Sequence, residues 1–327
     1  LICSAQFLAA QTDANGSIKR GVLLFDQGQF EAAKEHFERA LEYSPDNTEA
    51  MYELAYTEFV LENYEDCLKW TDQVIDGDDV ESKKLSYILQ GNALDQMGKP
   101  KKAIKTFKKA GKAFPEDHLI PYNLAVTYLN QESFDKGEEA LIRSLSLNPL
   151  HSSSHYLMGQ LQMIKSQRIQ AIMALQFFLV LEARSDRSTD ARDRLNYLFG
   201  IGIEQKDDQN VSISINPDMF ESEFGSKEML FSLRAARILS IPNDSLNLAE
   251  KDLELTKTAL CNMSPDKKSF WKQTYATFFN KCEEDEQFEA MFYHSRSGSI
   301  KDEYQSWMRL NSKAMQDFYT WLEGLYR

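Results

Sequence analysis

With 327 residues, 43% hydrophobic, 12% aromatic and 27% charged, the chain has the composition of a folded protein of two or three domains rather than a disordered one. Its 14 Gly, 8 Pro and 4 Cys exclude collagen-like, proline-rich and disulfide-framework classes. A formal charge of −13 argues against nucleic acid as the main partner, because Lys and Arg lead phosphate binding, and no apolar run approaches the ~18 residues of a membrane span.

Residues 1–13 open Leu1-Ile2-Cys3-Ser4-Ala5-Gln6, apolar and then small, like the end of a secretory signal peptide. The expectation is a signal remnant or tail on an exported, periplasmic or envelope-associated protein. The alternative is a cytoplasmic protein in which these residues begin a packed helix.

From residue 14 the chain repeats itself. Phe37-Glu38-Arg39-Ala40 with Pro45, Val74-Ile75 with Asp79, Phe107-Lys108-Lys109-Ala110 with Pro115, and Leu141, Ser144, Leu145 with Pro149 close four segments spaced 34, 36 and 34 residues apart. Each segment reads as two amphipathic helices joined by a short polar turn. The residues Gly21, Leu24, Gly28, Phe30, Ala33, Phe37, Ala40 and Pro45 of the first segment resemble the signature of the tetratricopeptide repeat. Tyr87, Gly91, Leu94, Gly98, Ala103, Phe107, Ala110 and Pro115 repeat it in the third. The fourth has Gly137 where the family prefers Ala. The second is degenerate, and a fifth, with Met158, Gly159 and Ala171, lacks the closing proline.

The resemblance implies an all-α fold: a right-handed α-solenoid of five repeats over 14–183. A capping helix is expected over 184–203, with Leu195, Leu198 and Phe199 inward and Asp190, Arg192, Asp193 and Arg194 outward. Residues 204–217 read as a linker in which Val211–Ile215 alternates like a short strand without an obvious partner.

Residues 218–327 are expected to form a second, aromatic-rich helical domain without the repeat signature. Helices are predicted at Lys227–Ser240, Leu246–Asn262, Asp266–Cys282, Glu284–His294 and Ile300–Tyr326. Three of the four Trp fall here, at spacings that suit a helical core.

No catalytic signature is present: no glycine-rich phosphate loop, His-Glu-x-x-His or Gly-x-Ser-x-Gly. His151 and His155 are four apart, a spacing that lets two imidazoles share a metal, but two ligands do not make a site. Cys67 stands at a small packing position. Cys261 and Cys282 are placed ~24 Å apart along helices, too far for a disulfide. No metal, cofactor or enzymatic activity is expected.

In the family, ligands lie along the first helices of the repeats. Carried over by position, that face includes Tyr52, Tyr56, Phe59, Asn92, Asp95, Tyr122, Asn123, Asn130, Tyr156 and Gln160. Aromatic anchors beside carboxamides suit a peptide or protein segment. The Lys and Asn clamp of chaperone-binding repeats is absent, since Ile18, Val22, Glu53 and Tyr56 occupy its places.

Charge is uneven. Residues 26–81 carry a net −14 and residues 83–112 a net +8, with Lys99, Lys101, Lys102, Lys105, Lys108, Lys109 and Lys112 clustered. That cluster reads as a solvated face complementing its acidic neighbours, or as a docking patch for an anionic partner. The leading functional reading is a non-enzymatic protein-binding scaffold. The alternatives are a structural subunit whose groove its own C-terminal half fills, and a catalytic C-terminal domain served by the repeats.

Overall fold

The computed structural model describes residues 2–206, 211–214, 222–242, 245–264, 266, 268–299 and 301–326, with backbone only at 2–12 and 205. Leu1, the side chains of the signal-like segment, residues 207–210 and 215–217 of the expected linker, and 218–221 of the expected C-terminal domain lie outside the described residues. The chain divides into two compact units, Leu1–Pro149 and Leu150–Arg327.

The first unit contains α1 (Ile2–Asp26), α2 (Phe30–Tyr43), α3 (Thr48–Val60), α4 (Tyr64–Asp76), α5 (Val80–Gln96), α6 (Pro100–Ala113), α7 (Leu119–Asn130) and α8 (Phe134–Leu147). Each helix packs on the next, and α1, α3, α5 and α7 also pack in series, which is the stacking of helix pairs the 34-residue spacing implies. Glycine permits the close approach within pairs. A Cβ on Gly21 would lie 2.5 Å from the Phe37 ring, on Gly91 2.4 Å from Phe107, and on Gly137 2.6 Å from Leu129.

The turn between paired helices is equally regular. Gly28, Glu62, Gly98 and Glu132 have φ of 74°, 62°, 67° and 52°, as does Ser166 of the fifth pair at 58°. In each, this residue donates its N–H to the carbonyl three before it, and the next N–H reaches five back, as in Gly28 to Phe25 at 2.8 Å and Gln29 to Leu24 at 2.9 Å. These bonds satisfy carbonyls that the helix end leaves open.

The second unit begins with the fifth pair, α9 (Ser152–Ile164) and α10 (Arg168–Leu181), followed by α11 (Asp186–Gly200). Two short strands, β1 (Ile203–Gln205) and β2 (Val211–Ile213), pair antiparallel with Ile203 opposite Ile213. Val211–Ile213 thus has the partner that the sequence did not reveal, inside the segment read as a linker. Then come α12 (Gly225–Leu239), α13 (Leu248–Leu260), a π-helical stretch (Lys272–Ala276) running into α14 (Thr277–Glu284), α15 (Phe288–Ser295), α16 (Asp302–Leu310) and α17 (Ser312–Leu325).

The helix expected over Ile300–Tyr326 is two. They meet at Asn311, whose Nδ2 and backbone N–H both donate to the Trp307 carbonyl at 2.9 Å. An Asn side chain competing for backbone partners ends the first helix there.

Helix α10 is the centre of this unit. It packs against α9, α11, α12, α13, α15 and the π-helical stretch, and every residue from Ile169 to Val180 is buried. Phe177 contacts the rings of His155, Tyr275 and Phe278 at 4.5, 5.8 and 4.8 Å between centroids. The aromatic spacing of Trp271, Tyr275, Phe278 and Phe279 is therefore core packing, all four being buried, whereas Trp307 and Trp321 are only half-buried and Leu310 is exposed.

Helix α11 departs from its expected outer face. Arg192 is buried at 8% exposure, donating to the Ala183 carbonyl and to Thr189 Oγ1 at 3.0 Å each. The Gly298 loop closes over its guanidinium, within 3.1–3.2 Å of where a Cβ would stand, so this is no solvated surface.

The C-terminal half also contains a hairpin with the repeat turn. Glu286, at φ 58°, donates to Glu283 O at 3.1 Å, and Gln287 donates to Cys282 O at 2.8 Å. Glu286-Gln287-Phe288-Glu289-Ala290 matches Gly28-Gln29-Phe30-Glu31-Ala32 at four of five positions. Seven residues before the turn, Phe279 replaces the small residue of the repeats, which hides the relationship from a search for the full signature.

Candidate functional site

Three first helices, α3, α5 and α7, place the expected binding residues of the first unit. On α3, Tyr52 and Tyr56 are one turn apart and stack, with centroids at 6.4 Å and planes 4° apart; Tyr56 also meets Phe25 of α1 at 5.2 Å. Tyr52 and Phe59 rest against the buried cluster of Ala55, Cys67, Leu89 and Ala93, while Tyr56 is 38% exposed. Burial with Glu53 nearby pushes the Tyr52 hydroxyl up to about 12, so it is a neutral hydrogen-bond donor at any physiological pH. The Glu53 carboxyl is raised by its own burial and then by Glu49 and Asp26.

Asp95 and Asn130 are brought together: Asn130 Nδ2 donates to Asp95 Oδ2 at 3.0 Å, joining α5 to α7. Asn123 donates Nδ2 to the Leu119 carbonyl at 2.8 Å, which fixes its amide to its own helix. Tyr122 is half-buried, and the Asn92 side chain makes no hydrogen bond among the described residues. Tyr156 and Gln160 stand on α9 in the second unit. The Tyr156 hydroxyl donates to Asp190 of α11 at 2.6 Å, and Arg187 covers its ring at 5.7 Å, so α11 takes the place of a following first helix.

The basic cluster is solvated. Lys101, Lys102, Lys105, Lys108, Lys109 and Lys112 all lie exposed on α6, with Lys99 at its N-cap. Lys109 sits over the Tyr87 ring at 5.2 Å, which raises its ammonium, with Asp76 and Asp72 adding to the effect. Among the described residues none of the seven has a carboxylate within 4.0 Å, so the acidic neighbours act on this face at longer range, as Asp76 and Asp72 do on Lys109.

His155 is fully buried, its Nδ1 2.8 Å from the Tyr275 hydroxyl, and His151 Nδ1 lies 2.7 Å from Ser154 Oγ. The pair does not converge on a common point. Among the described residues no group of three His, Cys, Asp or Glu side chains could hold a metal. Cys67, Cys261 and Cys282 are free and buried, and burial pushes the Cys67 thiol up to about 12, away from thiolate chemistry.

Sequence reasoning missed one feature of the second unit. A cavity of about 540 Å³ lies at the α9–α10 turn, lined by Ser166, Gln167, Arg168, Tyr197, Phe224 and Glu228 among others. Arg168 pairs there with Glu228, donates to Ser232 Oγ and to the Ile201 carbonyl at 3.0 Å, and lies over the Phe231 ring at 4.8 Å. Desolvation raises the Glu228 carboxyl despite this partner. A signal was available: Arg168 opens its helix where the other pairs have Phe30, Tyr64, Pro100 and Phe134.

Tetratricopeptide-repeat family profiles match residues 24–82 and 88–149. The chain is similar to the BBSome complex member BBS4 of Bos taurus, 30% identical over 111 residues that cover 34% of this chain and 21% of that protein. It thus spans about a fifth of that relative's length. Among solved structures it resembles a thermophilic TPR protein of Thermus thermophilus, with TM-score 0.46, 20% identity, and coverage of 57% of this chain and 98% of the other. A MamA fragment of Desulfovibrio magneticus gives 0.43, 19%, 52% and 95%. The register of small and aromatic residues, the recurring left-handed turn and the two profile matches agree: residues 24–82 and 88–149 are tetratricopeptide repeats.

Proposed function

We propose that the protein is a non-enzymatic scaffold that binds an extended peptide or protein segment along the first helices of its repeats. The observation that carries this reading is the aromatic platform on α3. Tyr52 and Tyr56 stack on each other over a packed core, Tyr52 half-buried and Tyr56 exposed, which is the form of a rigid, low-entropy anchor. Asn92, one repeat on, offers a carboxamide that can pair with a peptide backbone. Asn123, Asn130 and Tyr156 already use polar atoms within the fold, so they shape the surface rather than supply its main contacts. A place in the cell envelope belongs to this proposal and rests on the small-residue pattern Cys3-Ser4-Ala5 alone.

The test is to pan a phage-displayed library of random peptides on the full chain and titrate the selected peptides calorimetrically. Tyr52→Ala with Tyr56→Ala should weaken binding at least about tenfold, as truncated aromatic hot spots do. Peptides that bind the doubly substituted chain as tightly as the wild type would place the site elsewhere.

A further inference from the structure

The second helices of the first and third repeats are near copies inside and opposites outside. Each has fourteen residues, and each buries Ala, Phe and Ala at matching places: Ala33, Phe37 and Ala40 in α2, and Ala103, Phe107 and Ala110 in α6. On the exposed side α2 carries Glu31, Glu35, Glu38 and Glu42. At the equivalent positions of α6 stand Lys101, Lys105, Lys108 and Lys112. Both sets follow the i, i+4, i+7, i+11 spacing of one helix face, ~16 Å long at 1.5 Å per residue.

We propose that the lysine stripe of α6 docks on the glutamate stripe of α2 in a second copy of this chain. Neither stripe is satisfied at home. Among the described residues, no carboxylate lies within 4.0 Å of the four lysines, and no basic group lies that close to the four glutamates. Lys34, the basic residue on α2 nearest the core, is tied to Glu58 at 2.7 Å. The stripe of α4 is interrupted, because Lys69 occupies the place of Glu35 and pairs with Asp66 at 2.7 Å. The unbroken acidic match to α6 is therefore α2.

A long polyanion fits less well. With the chain at −13, and residues 26–81 alone at −14, a membrane or nucleic acid reaching α6 would also face these carboxylates. Helix neighbours pack ~10 Å apart, about one screening length at physiological salt. A helix stripe of matching length meets only the lysines. Because donor and acceptor stripes lie on different helices, the contact is heterologous and can extend from copy to copy. It uses second helices and is independent of the peptide-binding proposal above.

The experiment is sedimentation velocity of the full chain in about 20 mM and about 500 mM NaCl, where screening lengths are roughly 20 and 4 Å. Mass should rise with protein concentration at low salt and return to that of the monomer at high salt. Reversing the four lysines to Glu, or the four glutamates to Lys, should each raise the dissociation constant at least about tenfold, with circular dichroism unchanged. The second variant is decisive, because it brings the net charge closer to zero and general repulsion alone would then favour association. Mixing the two variants should restore complexes. A chain that stays monomeric at low salt, or associates equally well in both variants, overturns the proposal. So does a monomer that floats with phosphatidylserine vesicles through the same lysines.

Discussion

Helices α6 and α10 are the second helices of the third and fifth helix pairs, alike in length and entered through the same left-handed turn. In α6 only Ala103, Phe107 and Ala110 are buried, whereas in α10 every residue from Ile169 to Val180 is. The shared positions, Ala103 and Ala171, Phe107 and Leu175, Ala110 and Phe178, face the partner helix in both. The repeat signature thus specifies how a pair closes on itself. Whether a further layer covers the pair is written in the remaining positions, Lys and Thr in one helix, Ile, Met, Phe and Val in the other.

The sharpest way to break this comparison is to truncate matched helices. Phe177→Ala should lower unfolding free energy by about 3–5 kcal/mol, because the ring lies among His155, Tyr275 and Phe278. Lys105→Ala on α6 should change it by less than about 0.5 kcal/mol. Urea titrations of both decide the matter, and comparable losses would mean that α6 is covered too.

Next in size is Gly91→Ala, whose added methyl would meet the Phe107 ring at 2.4 Å. Overpacking of this kind destabilises by about 1–3 kcal/mol. A neutral result would show that the pair can open without loss.

A pH titration separates the covered half from the solvated one. Burial holds the His294 imidazole below its usual value, while its Nε2 lies 3.0 Å from the Val180 carbonyl. Below about pH 6.5 the unfolded chain takes up a proton that the folded chain resists, so stability falls as pH drops through that window and is level above it. The urea midpoint should decline between about pH 7.5 and 5.5, and less steeply in His294→Gln. Equal slopes would remove His294 from the account.

The smallest expected effect has the opposite sign. A Cβ at Gly111 of α6 would make only an ordinary 3.7 Å contact with Ile120. Gly111→Ala should stabilise by about 0.5–1 kcal/mol, read from the thermal midpoint.

The repeats were legible because close packing within a pair admits few residues at Gly21, Ala33, Phe37 and their equivalents. The second unit was legible as helices but not as an assembly. Its packing runs between distant segments, such as Gln176 Nε2 to Ser295 Oγ at 2.9 Å, which no local period encodes. Arg192 and Arg168 were misread or missed for a related reason. A charged residue on an amphipathic helix looks solvated until the loop that covers it is known. Of the candidate site, the family resemblance places Tyr52 and Tyr56 on the first-helix face but does not tell that they stack. Nor does it tell of the bonds that engage Asn130 and Tyr156, since they join side chains on different helices.

The all-round apolar surface of α10 also has a consequence during synthesis. Helices α1–α8 meet partners within one or two neighbours, so the first unit can close while the rest is still being made. The groups that cover α10 come much later: Gln176 waits for Ser295, 119 residues further on. At roughly 5–20 residues per second, that delay is about 6–24 s. For that interval the faces of this fourteen-residue helix that α9 and α11 leave free, in a sequence with nine Ile, Met, Leu, Phe and Val residues, lack their later partners on the growing chain. Its protection in the cell then depends on what occupies that surface before the C-terminal helices emerge.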